Sequence, residues 1–308
     1  MTLSSPSDHP LNWQVDALWQ RLSPLLPGIG IEVLARTEST NTVLLDRVRG
    51  DHARGHNSRA TQASYGRRAY DLQPCLLVAE HQTQGRGRMG RSWQSGPSGS
   101  LTFSLGLPLE LDDWSGLSLA VGAAIADALD PLTEGSTPRL QIKWPNDLWL
   151  DGRKLGGILI ETVAVGAQRM VVIGVGLNVS ELPTSLKAPS DFAALTSSST
   201  PSFSTGFAAL DELLPDPDAP AVLGQVAPAI AQALVDFKAT GFDAAAQAAF
   251  ARRDLTLNRH VTAGPLDGIA RGVNAQGELL IQTGVGVVQA VSGGEVSVRL
   301  AAANTAPH

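Results

Sequence analysis

The sequence predicts a mixed α/β (α+β) fold: a largely antiparallel sheet with helices, followed by a small C-terminal β-barrel. Three observations predict it. Apolar strand runs from Leu140 onward follow one another through tight turns, without the helix that a parallel crossover needs. The pair Asp151-Gly152 stands between two apolar runs, "DLWL" and "RKLGGILIE", where it suits a type I′ hairpin turn. From about Leu255 the texture changes to five short β runs in under fifty residues, the density of a small barrel.

In chain order, residues 12–26 ("NWQVDALWQRLSPLL") predict a short amphipathic helix with Val15, Leu18, Trp19 and Leu22 on one face. "IEVLAR" predicts a strand. "TESTNTVLLDRV" predicts a turn feeding a helix, with Ser39, Thr40 or Asn41 as the cap. Residues 50–73 have no hydrophobic period and predict an exposed inserted loop. "CLLVAEHQ" and "LTFSLGLPL" predict strands, the first running into a glycine-rich stretch. "WSGLSLAVGAAIADALDPL" predicts an apolar helix ended by Pro131, its small residues suited to close packing on a sheet. "RLQIKW", stopped by Pro145, and "RMVVIGVGLNV" predict further strands. Residues 181–206, rich in Ser, Thr and Pro, predict loop, and 220–250, rich in alanine, predict helix. The organisation expected is a helical extension over 1–30, a main domain over 31–253 and a barrel with tail over 254–308.

Composition narrows the function. With 43% hydrophobic residues, the 308-residue chain has ample core. The net charge, 23 − 29 = −6, argues against a nucleic-acid binder working through bulk charge. Only four of the positive residues are lysines, so a lysine inside a motif stands out. The single cysteine, Cys75, allows no intrachain disulfide. No membrane-length apolar run and no secretory pattern stand out, so the expectation is a cytoplasmic enzyme with no membrane or nucleic-acid partner.

Four constellations carry chemistry. "GRGRMGRSW", Gly85–Trp93, combines glycines that let backbone N–H groups approach a ligand with the fork-shaped donors of Arg86, Arg88 and Arg91. It matches neither a Walker loop nor a dinucleotide fingerprint. Three like charges on a loose backbone predict a loop that an anion would order. "IKWPND" holds Lys143 at a strand end, where one point charge could neutralise a carboxylate and a phosphate together. "ESTN" offers Ser39, Thr40 and Asn41 either as helix caps or as a polar floor for a neutral ureido or amide group. "GVGLNV", Gly174 to Val179, is a glycine-lined strand end suited to a ligand or to plain packing.

In this order, "TESTN", "AEHQTQGRGRMGRSW", "IKWPNDLWLDGRKLGGILIE", "VIGVGLNV" and "SGGEVSVRL" resemble the biotin–protein ligase family. The resemblance spans roughly Ile31 to Leu300, apart from 50–73 and 181–220. It implies a catalytic domain related to class II synthetases and an SH3-like C-terminal barrel. It implies a two-step reaction: biotin and MgATP give biotinyl-5′-AMP, and a lysine of a biotin carboxyl carrier protein (acetyl-CoA carboxylase) then takes the biotin. By the same resemblance Ser39, Thr40, Asn41 and Gln82 contact the biotin head, and Gly156 and Gly157 line its valeryl channel. Arg86, Gly87 and Arg88 cover biotin and adenylate. Lys143 lies beside the carboxylate and α-phosphate, with Arg88 the second catalytic candidate. Gly85, Arg88, Arg91, Trp93 and Asn178 lie toward the nucleotide. ATP and Mg²⁺ are the expected cofactors, with metal ligands unassigned and Asp147 either near Mg²⁺ or bonded within its own loop. A homodimer is compatible with the resemblance. The short, weakly basic lead-in predicts a monofunctional enzyme without operator binding. The alternative on the same fold is a lipoate or octanoate ligase.

Overall fold

The computed structural model describes residues 11–49, 72–96, 99–111, 113–165, 168–180, 206–284, 286–294 and 298–300. Most of the two predicted loops, at 50–73 and 181–206, lies outside the described residues.

The main sheet has seven strands: β1 (Gly30–Leu34), β2 (Cys75–Ala79), β5 (Ser100–Pro108), β6 (Leu140–Lys143), β7 (Asp147–Leu150), β8 (Arg153–Val165) and β9 (Gln168–Asn178). Their spatial order is β1-β2-β5-β9-β8-β7-β6. Only β1 and β2 pair in parallel; the other pairs are antiparallel, as the hairpin signals predicted. Asp151 (φ 47°) and Gly152 (φ 77°) both take positive φ, the requirement of a type I′ turn. Between β2 and β5, β3 (Gly85–Arg86) and β4 (Ser92–Trp93) form a separate small hairpin.

One face of the sheet carries α3 (Leu117–Leu129), and α4 (Ala219–Thr240) and α5 (Ala244–Ala251) pack on α3. Leu140, Ile142, Leu148, Leu150 and Ile158 meet α3 in the principal core. Fully burying such side chains stabilises by about 1.5–3 kcal/mol each. At Gly122 an added Cβ would make only ordinary van der Waals contact with Ile142 and Ile158 of the strands. Asp218 caps α4 by accepting from Ala221 N at 2.6 Å, and Asp243 caps α5 from Ala246 N at 2.9 Å. The opposite face carries α2 (Thr40–Arg49), whose Leu44 and Leu45 bury against Cys75, Leu77 and Val172.

Two sequence expectations need correction. The N-terminal helix, α1, is shorter than predicted (Val15–Leu22), and only Leu18 and Leu22 of the expected face are buried. Trp13 and Leu26 complete that contact from outside the helix, while Val15 is exposed and Trp19 lies at the rim with its indole N–H on Ile29 O at 3.2 Å. An indole can lie at a rim because one end is polar. The second correction concerns α4, which is long and apolar enough to cross a membrane by length and composition. Half of its most apolar window is buried inside the protein, the setting of a core helix.

The C-terminal strands are β10 (His260–Ala263), β11 (Leu266–Val273), β12 (Leu279–Thr283), β13 (Val288–Val291) and β14 (Val298–Leu300). They form an antiparallel sheet in the order β13-β12-β11-β10-β14, consistent with a small barrel. The chain enters this sheet alongside β6: Ile142 N donates to Arg253 O at 2.7 Å and Leu255 N to Ile142 O at 3.0 Å. Arg253 is fully buried and bonded to Asp127 (2.7 Å), Asp130 (3.2 Å) and Leu140 O (2.8 Å). These partners tie the segment that leads into the C-terminal sheet to α3 and β6. Trp144 completes the seam, its Nε1 donating to Gly277 O at 2.9 Å.

Candidate active site

Opposite α3, the sheet is floored by glycine. Gly157 of β8 pairs with Gly176 of β9, and Gly174 lies two residues away on the same face. An added Cβ at Gly174 would collide with Asn41 Oδ1, and one at Gly176 would sit 2.5 Å from Trp93 Cε2. The glycines of "GVGLNV" therefore let Asn41 and Trp93 lie against bare backbone. Gly157 has space: a Cβ there would meet nothing closer than Asp147 Oδ1, at 3.5 Å. Gly156 differs: its Cβ would collide with Gly176 O, so strand packing alone demands glycine there. Gly174→Ala should displace Asn41 and weaken binding of a ligand on this face about 10–100-fold, read by titration calorimetry once that ligand is in hand.

Beside this floor lies a buried polar chain. Gln82 Oε1 accepts from Thr40 N (2.7 Å) and Thr40 Oγ1 (3.1 Å). The Ser104 hydroxyl stands 2.6 Å from both Thr40 Oγ1 and Asn41 Oδ1. Asn41 Nδ2 donates to Leu159 O (3.2 Å) and Glu161 Oε2 (2.9 Å). Ser39 takes the capping role: its Oγ is 3.5 Å from Thr42 N and its carbonyl accepts from Val43 N at 3.0 Å. The two readings of "ESTN" thus divide among its residues, with Ser39 capping and Thr40 and Asn41 joining the polar chain.

The β3–β4 hairpin arches beside the floor. Gly85 is required, because a Cβ would collide with Trp93 O. Gly87 N donates to Arg91 O at 2.7 Å, closing the turn, and Met89 at its tip takes φ 56°. The sequence suggested a loop ordered by an anion. Here protein acceptors, one of them a carboxylate, hold two of its arginines. Arg86 pairs with Glu161 and donates to Thr42 Oγ1 at 3.1 Å. Arg88 donates to Asn146 Oδ1 (3.1 Å), to Gly294 O (2.7 Å) and to Gly293 O, joining the hairpin to the C-terminal sheet.

Charge gathers at Asp147, the first residue of β7. Lys154 Nζ binds Asp147 Oδ1 at 2.8 Å, and Lys143 Nζ lies 4.9 Å from the Trp149 ring centroid, a cation–π contact. Burial pushes the Lys143 ammonium below its ordinary value. Asp147 opposes that shift, while Lys154, Arg91 and Arg299 reinforce it. Burial also lowers Arg88, again against Asp147. Lys143 therefore lies in the field of Asp147, Lys154, Arg91 and Arg299, and Arg88 in that of Asp147 and Arg91. Two buried indole N–H groups, of Trp93 and Trp149, have no partner among the described residues and can donate to a bound molecule. Asn178, by contrast, is engaged: its Nδ2 donates to Ala208 O at 2.9 Å.

The lowered Lys143 pKa has two consequences. Above that pKa but below 10.5 the unfolded chain binds a proton that the folded protein does not, so this group's contribution to stability rises with pH through that window. The useful positive charge is lost in the same window. Any rate that needs Lys143 charged should therefore fall at a pH below 10.5, and Lys143→Arg should remove that alkaline limb from a pH–rate profile.

Comparison with known proteins decides the family. The model of the "Biotin/lipoate A/B protein ligase family" matches residues 33–178, and that of the "Biotin protein ligase C terminal domain" matches 256–299. The biotin–[acetyl-CoA-carboxylase] ligase of Mycobacterium tuberculosis is 32% identical over 274 residues, covering 86% of this chain and 88% of that protein. The chain belongs to the biotin–protein ligase family. The bifunctional ligase/repressor BirA of Escherichia coli is 31% identical over 283 residues, covering 90% of this chain and 76% of that protein. Among solved structures, a biotin protein ligase from Aquifex aeolicus in complex with biotin and ATP superimposes with a TM-score of 0.63 at 27% identity, covering 88% of this chain and 99% of that one.

Within this ligase fold, the polar chain and the hairpin that carries Arg86 and Arg88 lie on the glycine-floored face. Four participants were missed in the sequence: Ser104, Lys154, Glu161 and Arg299. Lys154 alone had a usable signal, as one of only four lysines and a member of "RKLGG".

Proposed function

We propose that this ligase joins biotin to a specific lysine of a biotin carboxyl carrier domain, such as that of acetyl-CoA carboxylase, through biotinyl-5′-AMP. The observation that carries the reading is the positive field at Lys143, to which Lys154 (bound to Asp147), Arg91 and Arg299 contribute, at the end of a glycine-floored face with a buried polar wall. Biotin's carboxylate and the phosphates of ATP repel, so their reaction needs concentrated positive charge where they meet. The face suits a flat, neutral head group and an apolar tail, and the cation cluster suits the acid end.

Thr40, Asn41 and Gln82, with Ser39 behind them, hold the head group. Gly157 lines the tail channel, and Gly156 keeps the strands close beneath it. A biotin carboxylate oxygen attacks the α-phosphorus, the bond to pyrophosphate breaks, and Lys143 and Lys154 offset the charge of both partners. The carrier amine then adds to the carbonyl carbon, the bond to AMP breaks, and the amine loses a proton to solvent. No enzyme nucleophile is needed. Arg86, Gly87 and Arg88 form the cover that shields the anhydride from water. Gly85, Arg91 and Trp93 lie toward the adenylate, with the Trp93 N–H as a donor, and Asn178 supports the strand end from behind.

Among the described residues no group of three acids, histidines or cysteines is placed to hold a metal. That fits Mg²⁺, which needs only one or two carboxylates beside substrate phosphates. Asp147 is the carboxylate in place, and the ion would neutralise phosphate charge. The division at 253/254 between catalytic domain and barrel is part of this reading, as are a cytoplasmic site of action and a homodimer, for which β1 at the end of the sheet offers an edge. Incubation with biotin, MgATP and an apo carrier domain should label the carrier on one lysine; an unlabelled carrier refutes the reading. Calorimetry with biotin against lipoate separates it from the lipoate alternative.

A further inference from the structure

Glu161 lies on the glycine-floored side of β8, beyond Gly157, the last residue of that strand that pairs with β7. Its two oxygens serve different elements. Oε2 accepts from Asn41 Nδ2 at 2.9 Å, and Oε1 pairs with the Arg86 guanidinium. Arg86 reaches on to Thr42 Oγ1 at 3.1 Å, so acid and arginine together bracket the first turn of α2. The positive end of that helix favours an acid there, which offsets part of the cost of partly burying it.

A carboxylate can only accept, so Glu161, together with Leu159 O, dictates how the Asn41 amide is turned. Nδ2 must face Glu161 and Leu159 O, and Oδ1 must face the Ser104 hydroxyl, 2.6 Å away. Ser104 is itself 2.6 Å from Thr40 Oγ1, which is 3.1 Å from Gln82 Oε1. One acid thus helps set the direction of a short hydrogen-bond chain: Ser104 gives its one proton to Asn41 Oδ1 and accepts from the Thr40 hydroxyl, while Gln82 Oε1 accepts from Thr40 N. The same acid ties the β3–β4 hairpin to the sheet through Arg86.

We propose that Glu161 is a positioning residue of the ligase, orienting Asn41 for the biotin head group while latching Arg86, and with it the hairpin, over the bound adenylate. The proposal rests on the ligase reading above. Glu161 acts through Asn41 and Arg86 and takes no part at the reacting atoms, which belong to the Lys143–Lys154 cluster. Its loss should therefore weaken biotin binding and adenylate retention while sparing turnover. A purely structural acid would lower thermal stability and every kinetic constant together.

The test compares Glu161→Gln and Glu161→Asp with wild type in the full chain. Two quantities are measured: biotin-dependent ATP–pyrophosphate exchange, and release of preformed biotinyl-adenylate after gel filtration. Glu161→Gln should raise the biotin KM and the release rate about 10–30-fold. It should change kcat by less than about 3-fold. Glu161→Asp, which keeps the charge, should recover most of the loss. Unchanged KM and release in a folded Glu161→Gln overturn the proposal, as does a fall in kcat alone. If circular dichroism shows that variant unfolded, Thr42→Val, which frees the other end of Arg86, carries the test: faster release supports the latch and unchanged release overturns it. Wild-type protein with no exchange would refute the ligase reading instead, so the two failures are distinct.

Discussion

Lys143→Ala should lower the rate of biotinyl-adenylate formation by about 10²–10³-fold, the usual cost of removing one preorganised charge-stabilising group. The argument rests on where the ammonium sits. It is held over the Trp149 ring at 4.9 Å, within the field of Lys154, Arg91 and Arg299. A lysine kept among like charges is under electrostatic strain that an arriving carboxylate and phosphate relieve, so its effect should be larger on the step than on the resting fold. Removing it should raise thermal stability slightly or leave it unchanged. Lys154→Ala should cost a comparable factor, since Lys154 is the other ammonium beside Asp147. Single-turnover adenylation followed by quench gives the rates directly. Rates within about threefold of wild type for both variants would remove the cation cluster from the chemistry.

Arg88→Gly should act on retention more than on formation. Its guanidinium ties the hairpin to Asn146 and to the carbonyls of Gly293 and Gly294. Hydrogen bonds to a charged group contribute about 1.5–3 kcal/mol, so losing this strap should speed adenylate release by one to two orders of magnitude. The released mixed anhydride is a free acylating agent, so the variant should also biotinylate bystander proteins. Mass spectrometry of an added non-carrier protein detects this. Leakage equal to wild type would show that the strap does not hold the intermediate.

Much of the fold was legible because its signals are local. The Asp151-Gly152 turn, the alanine-rich helices and the short C-terminal β runs each declare themselves within a few residues. The parallel pairing of β1 with β2 spans residues 30–79 and leaves no such mark. Burial was less legible than element type. Trp19 keeps the helical period of Leu18 and Leu22 yet lies at the rim, because its indole N–H finds Ile29 O.

The candidate site was legible where polar residues cluster in sequence, as in "ESTN" and "GRGRMGR". It was illegible where one polar residue stands inside an apolar strand. Ser104 and Glu161 look incidental in "LTFSLGL" and "GGILIE" until α2 packs above them. Arg299 belongs to β14, and its charge acts at Lys143 because the C-terminal sheet is held against the main sheet, as through Trp144. Motif spacing could suggest that an anion site exists. Only the tertiary fold could supply its full set of charges.

The most direct test of the central claim is ATP–pyrophosphate exchange by the wild-type protein with Mg²⁺, with and without biotin and without any carrier. The account predicts exchange that requires biotin and is not supported by lipoate or octanoate. Exchange that is absent with biotin, or equal with lipoate, would contradict it.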